Sequence, residues 1–267
     1  MTSPTVPSVR PAHPVLTFAL LEQLRAVRHP ANLFFVIAFP LGLYLMFGNI
    51  EGKGSMAISE HGNLSASTML AIACYSACLA AASAATGTAV ELQAGWGRQL
   101  AVTAGGMRTF WAVKTSTAFV QATIPVVVIF IAGALTTAEL DARTWVLSFV
   151  LALVTVVPMI LWGMVAGLLL PPQVAYGVAP TMVSFFGFLG NAFMPLNETM
   201  MNIGRFTPMY GPVALVRWPL LEGKTYVIDV PEIVQDELWM AVANLVAWTV
   251  LLALPLVALR HRATVRR

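Results

Sequence analysis

Side chains able to do chemistry are sparse in this chain, and their positions narrow its functions. Cys74 and Cys78 are its two cysteines. Four apart on a helix they share a face, a spacing that does not suit a disulfide, and no set of thiolate or imidazole ligands gathers nearby to hold a metal. They read as small packing residues. Gly48-Asn-Ile-Glu-Gly-Lys-Gly54 is the closest string to a phosphate loop, but it is one residue short and ends in Gly where Ser or Thr would meet Mg²⁺. No Ser/His/Asp set and no paired carboxylates fall at depth in an apolar run, so catalysis by this chain is not expected. Asn63-Leu-Ser65 and Asn197-Glu-Thr199 fit the glycosylation pattern, which is frequent by chance.

What remains is a polar island between two long apolar runs, Glu91-Leu-Gln-Ala-Gly-Trp-Gly-Arg-Gln-Leu-Ala-Val-Thr-Ala-Gly-Gly-Met-Arg108, closing near Lys114. It is too polar for lipid, too short for a domain, and basic. Such a segment faces the cytosol, where it can meet a partner.

The surroundings of the island read as membrane. Of 267 residues, 58% are hydrophobic and 10% charged, and the mean hydropathy is +0.78. A soluble domain carries roughly 25% charged residues. So much apolar surface cannot be hidden in one globule of this length, so the expected solvent is lipid. The net charge of +3 does not point to nucleic acid, because the basic residues sit where a membrane topology puts them. Residues 1–14 lack the basic patch and apolar core of a signal peptide.

A bilayer core needs about 20 apolar residues per helix. Six runs qualify: 31–50, 65–90, 110–136, 145–170, 174–194 and 238–259. The expected fold class is an all-α membrane protein, a single transmembrane domain over 1–267 with both termini on one side. Arg10, Arg25, Arg28, Arg98, Arg108, Lys114, Arg260, Arg262, Arg266 and Arg267 fall on the side of the termini and the island. Lys53, Arg143, Arg205, Arg217 and Lys224 fall on the other, with most of the acids. Positive charge marks the inside, so both termini are expected in the cytoplasm of a multi-pass plasma-membrane protein.

Residues 15–29 alternate apolar and charged positions at helical period, with Leu16, Phe18, Leu20, Leu21, Leu24 and Val27 against Glu22, Gln23, Arg25 and Arg28. That pattern predicts an amphipathic helix lying in the membrane interface, with Pro30 turning the chain inward. Gly163-x-x-x-Gly167 and the small-residue run 80–89 would let helices approach closely, in a bundle or a dimer.

Within the spans, no acid or histidine is placed at mid-depth, as an ion pump would require. Lys114 and Gln121 come nearest to a polar pathway, and Lys114 is expected to snorkel outward as an interface anchor. Asn191 would either face a cavity or cap a broken helix. The 195–237 segment is expected as an extracytoplasmic loop, whose apolar entry 193–210 can dip back into the membrane. Its Met194, Met200, Met201 and Met209 suit lipid packing or an exit lining.

The island resembles the first cytoplasmic loop of type-2 ABC transporter permeases, the drug- and polysaccharide-export family. Glu91, Gly95, Arg98, Leu100, Thr103 and Lys114 match that family's pattern in register. Trp96 and Ala104 depart from it, standing where Thr and Pro are usual. A second match runs through Gly190, Phe193, Pro195, Leu196, Ile203, Pro208, Tyr210, Ala214 and Arg217, with Asn197-Glu198 in place of the family's Leu-Pro, and it implies short re-entrant or interfacial helices on the outer side before the last span. The resemblance covers residues 15–259.

The resemblance implies a permease that holds no cofactor of its own and hydrolyses nothing. It implies a separate ABC ATPase subunit carrying ATP and Mg, and a second permease chain, identical or different, with membrane lipids around both. Residues 91–109 would form a coupling segment seated on the ATPase through Glu91, Gly95, Arg98, Leu100, Thr103, Arg108 and Lys114. Gln121, Asn191, Phe193, Met194 and Tyr210 would lie on the substrate path. The implied cargo is an amphipathic drug, antibiotic or lipid, as in multidrug efflux and antibiotic resistance. The nearly uncharged spans suit a hydrophobic passenger. The alternatives are a polysaccharide exporter and an ion-coupled secondary transporter.

Overall fold

The computed structural model describes Thr17 and residues 20–24, 34–95, 106–225 and 234–265. Residues 20–24 are helical. The further helices are α1 (Phe34–Phe47), α2 (Leu64–Gln93), α3 (Gly106–Ala134), α4 (Ala142–Val154), α5 (Val157–Leu169), α6 (Pro172–Leu189), α7 (Glu198–Gly204), α8 (Tyr210–Leu221) and α9 (Leu238–Val265). Two small antiparallel hairpins, β1 (Ala57–Ser59) with β2 (Gly62–Asn63) and β3 (Lys224–Thr225) with β4 (Val234–Gln235), lie between them.

Four stretches are long and apolar enough to cross a membrane: Leu64–Gln93, Thr109–Ala134, Ala142–Leu169 and Leu238–Ala258. The expected spans at 31–50 and 174–194 form α1 and α6, which are shorter. At 1.5 Å per residue α1 reaches only about 21 Å against a core of about 30 Å. Among the described residues, four of the six expected spans therefore reach full crossing length. The expected extracytoplasmic segment at 195–237, like the short helices expected before the last span, is helical in part: it carries α7, α8 and the β3–β4 hairpin.

The centre of the bundle is α2, buried along 89% of its most apolar window. It packs against α3, α5, α6 and α8. A helix apolar on every face has no outward side, so it settles in the middle. Its run of Ala, Ser, Thr and Cys makes it thin. Gly163 and Gly167 of α5 meet it at the narrowest point: a methyl at Gly163 would overlap the Ala82 carbonyl, and one at Gly167 would press on Thr86 and Ala89. Thr86 Oγ1 crosses the same seam to the Gly163 carbonyl at 3.2 Å. The small-residue spacing thus closes the bundle within one chain. Cys74 and Cys78 are free and buried in α2, as packing residues should be.

Pro158 divides the fourth apolar run. Its ring excludes the carbonyl four residues back, so α4 ends at Val154 and α5 restarts at Val157. Met159 N–H bonds the Val156 carbonyl at 3.0 Å, tightening the restart. Pro125, Pro180 and Pro255 leave their helices continuous. Outward faces are apolar: Val242, Val246, Val250, Leu254 and Val257 of α9 are exposed, as lipid-facing residues are. The two glycosylation-like strings serve as helix caps, Asn63 Oδ1 accepting from Ala66 N–H and Asn197 Oδ1 from Met200 N–H.

Candidate functional site

Two features stand at opposite ends of α2. The first is ionic. Lys114, on the second turn pair of α3, is 6% exposed, and its Nζ lies 2.5 Å from Glu22 Oε1 and 2.6 Å from Glu91 Oε2. The Phe110 ring lies 5.8 Å away and covers one side. The expectation that Lys114 snorkels outward is therefore corrected. Two carboxylates brought by other elements hold it inside, because an ammonium without partners would be expensive to bury. One salt cluster joins the N-terminal helical turn, the last turn of α2 and the start of α3.

Glu22 lies on the face opposite the leucines of its helix, as the periodicity predicts. Leu20, Leu21 and Leu24 are exposed while Glu22 faces the protein. The apolar residues look outward and the charge looks inward, the reverse of a helix on a soluble core. This is the arrangement expected beside lipid.

At the end of α2 the chain turns through Gly95, whose φ of +88° lies where glycine is at ease. The segment 96–105 lies outside the described residues, and with it Arg98, Leu100 and Thr103 of the expected coupling set. So does the side chain of Arg108. Of that set, Glu91, Gly95 and Lys114 are described, and two of them touch.

The second feature is a cavity of about 280 Å³ at the opposite end, between the start of α2, the turn after α6, α8 and the start of α9. Asn191, Phe193, Met194 and Tyr210 of the expected substrate path all line it. Gln121 does not: it is half-buried on α3 and belongs to another part of the bundle.

The cavity is shaped by a helix end. After Leu189, Asn191 adopts φ +61°, Ala192 N–H reaches the Gly187 carbonyl at 3.0 Å, and Asn191 N–H approaches that of Phe188 at 3.4 Å. This left-handed cap turns the chain back across the bundle. Of the two readings left open for Asn191, the cavity lining is what the structure shows; its backbone, not its amide, makes the left-handed turn after the Gly190 cap. Phe193 then packs edge-on against Tyr75, ring centroids 4.7 Å apart.

Polar groups divide the cavity wall. Asp236 is neutralised by Arg205, Nη2 to Oδ1 at 2.5 Å, and accepts from the Tyr210 hydroxyl at 3.0 Å. Burial first, and the neighbouring Asp236 carboxylate second, push the Tyr210 phenol well above its ordinary range. Glu237 accepts from the Trp239 indole. Asn244 of α9 fixes the strand of backbone beneath, donating to the Arg205 and Thr207 carbonyls at 2.8 and 3.0 Å and accepting from Gly211 N–H at 3.1 Å.

Arg217 stands apart from these. Its Nε donates to the Ser67 carbonyl at 3.0 Å and its Nη1 to the Asn191 carbonyl at 2.8 Å, and no carboxylate among the described residues pairs with it. Its place in the cavity was not legible in sequence. Two features of the sequence mark it: it closes the match that runs from Gly190, and it is an arginine set inside the apolar run Val213–Leu221. Glu22 was likewise invisible as a partner of Lys114.

Among the described residues no group of three His, Cys, Asp or Glu side chains is placed to hold a metal ion. Compared with known proteins, the chain matches no family model, no curated protein and no solved structure.

Proposed function

We propose that this protein is the membrane-spanning permease subunit of an ATP-driven exporter, working with a separate ATPase of the ABC type and a second permease chain in the cell membrane, termini inward. The cargo is an amphipathic small molecule, such as a drug, antibiotic or lipid. The chain itself performs no hydrolysis in this reading; ATP and Mg belong to the partner.

The observation that carries this reading is the Glu22–Lys114–Glu91 cluster. A coupling segment transmits motion only if it is fastened to the helices it must move. The 96–105 connector is flanked on both sides by residues of one buried salt cluster, and a third element is tied to the same lysine. A push on the connector would reach α2, and α2 touches most of the bundle. Packed helices with two discrete arrangements turn such a push into an opening at the far end. The cavity at that end gives the movement something to reshape.

One observation favours a second reading. A buried lysine between two carboxylates is also what an ion-coupled carrier uses. Its position argues for the mechanical role: Glu91 lies two residues from the end of α2, at the edge of the apolar region rather than at mid-depth.

The test is to purify the tagged protein from its native membrane in mild detergent and identify its companions by mass spectrometry. A stoichiometric soluble ATPase with a phosphate loop is expected. Recovery of the chain alone across several mild detergents, with transport abolished by a protonophore, would replace this reading with ion coupling.

A further inference from the structure

The cavity beside α8 holds a cation without a counter-charge. An arginine guanidinium has five N–H donors in one plane. In Arg217 two are used, on the Ser67 and Asn191 carbonyls. Three remain, and Arg217 is only half-buried because it borders the cavity. Its two partners are neutral carbonyls, which orient the guanidinium plane without cancelling its charge. A desolvated charge lacking an opposite partner is costly, and an anion entering the cavity would offset that cost.

The rest of the wall specifies what else such a ligand carries. Phe193, Met194, Met201 and Val213 make most of it apolar. The nearest acids do not fill the role of partner: Asp236 is paired with Arg205, and Glu237 is engaged by Trp239. Lys224 adds a second cation at the rim. A planar fork of donors suits a carboxylate or a phosphate, both of which accept two parallel bonds.

We propose that this cavity binds the anionic head of an amphiphile, a carboxylate or phosphate held by the free N–H groups of Arg217, with the apolar tail lying along Phe193, Met194 and Met201. The ligand is therefore charged at one end, which the nearly uncharged spans did not suggest. Calling the site a station on an export route rests on the reading above, whereas the binding itself does not.

The experiment uses the full chain alone, in a neutral maltoside detergent, with no ATPase present. Decyl phosphate, decanoate, decanol and inorganic phosphate are titrated in turn, and bound ligand is counted by native mass spectrometry alongside the thermal midpoint. One decyl phosphate or decanoate per chain is expected, raising the midpoint, with decanol at least about tenfold weaker, since losing a charge-assisted pair costs more than the roughly 1.4 kcal/mol of a tenfold change. Arg217→Gln should lose the same tenfold or more. Ala214→Phe, which keeps Arg217 but fills the cavity, should lose binding while retaining the unliganded midpoint. Equal binding of decanol and decyl phosphate, or unchanged binding in Arg217→Gln, would overturn the proposal. Inorganic phosphate binding as tightly as decyl phosphate would overturn its amphiphile half and leave a simple anion site. If binding holds while no ATPase is ever found, only the export reading falls.

Discussion

Lys114 Nζ lies 2.6 Å from Glu91 Oε2, joining the last turn of α2 to the early turns of α3 across the 96–105 connector. With Glu22 at 2.5 Å on its other side, the lysine is the shared member of two buried pairs. Removing the shared member leaves two carboxylates facing each other. Lys114→Met is expected to lower stability by about 3–5 kcal/mol, the usual cost of breaking a buried pair. Glu22→Gln should cost less, because Glu91 still neutralises the ammonium. Exchanging Glu91→Lys together with Lys114→Glu should recover part of the loss of either single change. Thermal unfolding in detergent reads all five variants, and a Lys114→Met midpoint equal to wild type would contradict the cluster.

Coupling has its own signature, separate from stability. Gly95 at φ +88° makes the reversal out of α2. Gly95→Val forces a branched side chain into that conformation, at roughly 1–3 kcal/mol of local strain. The fold should survive, since the bundle closes elsewhere. On the proposed export reading, transport and the partner's ATP hydrolysis should uncouple. Undiminished export in Gly95→Val would argue that the connector carries no signal.

The α2–α5 seam has no room. A methyl at Gly163 would overlap the Ala82 carbonyl, and Gly167 is nearly as close to Thr86. Gly163→Leu is expected to cost about 1–3 kcal/mol or more through overpacking, while the same change at Gly177, with open space around it, should cost little. Midpoints of the two variants, compared side by side, check this.

Asn191 holds φ +61° at the end of α6, and its carbonyl receives Arg217. Asn191→Gly should be nearly neutral, because glycine adopts that conformation freely. Asn191→Val should cost about 1–3 kcal/mol and weaken anion binding, because a branched residue resists the left-handed turn that aims the backbone carbonyl of position 191 at the guanidinium. Equal stability of the Gly and Val variants would show that the left-handed cap is not maintained.

The pH dependence of Arg217 follows from its surroundings. Burial holds its guanidinium down to about 10, below the ordinary arginine range. A base with a depressed folded value is charged below that value, so Arg217 is a cation at neutral pH. The folded state holds that proton less tightly than the unfolded chain does, so the buried charge subtracts from stability below about 10. That cost lifts as pH rises from there toward the unfolded value. The midpoint of wild type relative to Arg217→Gln should be level from neutral pH to about 9, then move in favour of wild type. Anion binding should do the reverse, falling away above about 10. Tyr210 stays neutral through that window, because burial and Asp236 raise its phenol. Decyl phosphate affinity measured at intervals of pH reads the second effect.

Sequence alone determined the class of solvent and the positions of the helices. Hydropathy over 20 residues is a local sum, so α2, α3, the kinked α4–α5 and α9 appear where their apolar runs lie. The small residues of 80–89 and the Gly163/Gly167 spacing likewise announced a close helix contact, because only side-chain size decides how near two backbones come. Tertiary structure decided which contact that was, within the chain, and which charges are buried. Lys114 meets Glu22 from 92 positions away, and Arg217 meets the Ser67 carbonyl from 150. The energy of a charge depends on the water it has lost and the partners it has found, and both come from distant segments. No local pattern could therefore separate the lysine that is paired from the arginine that still awaits an anion.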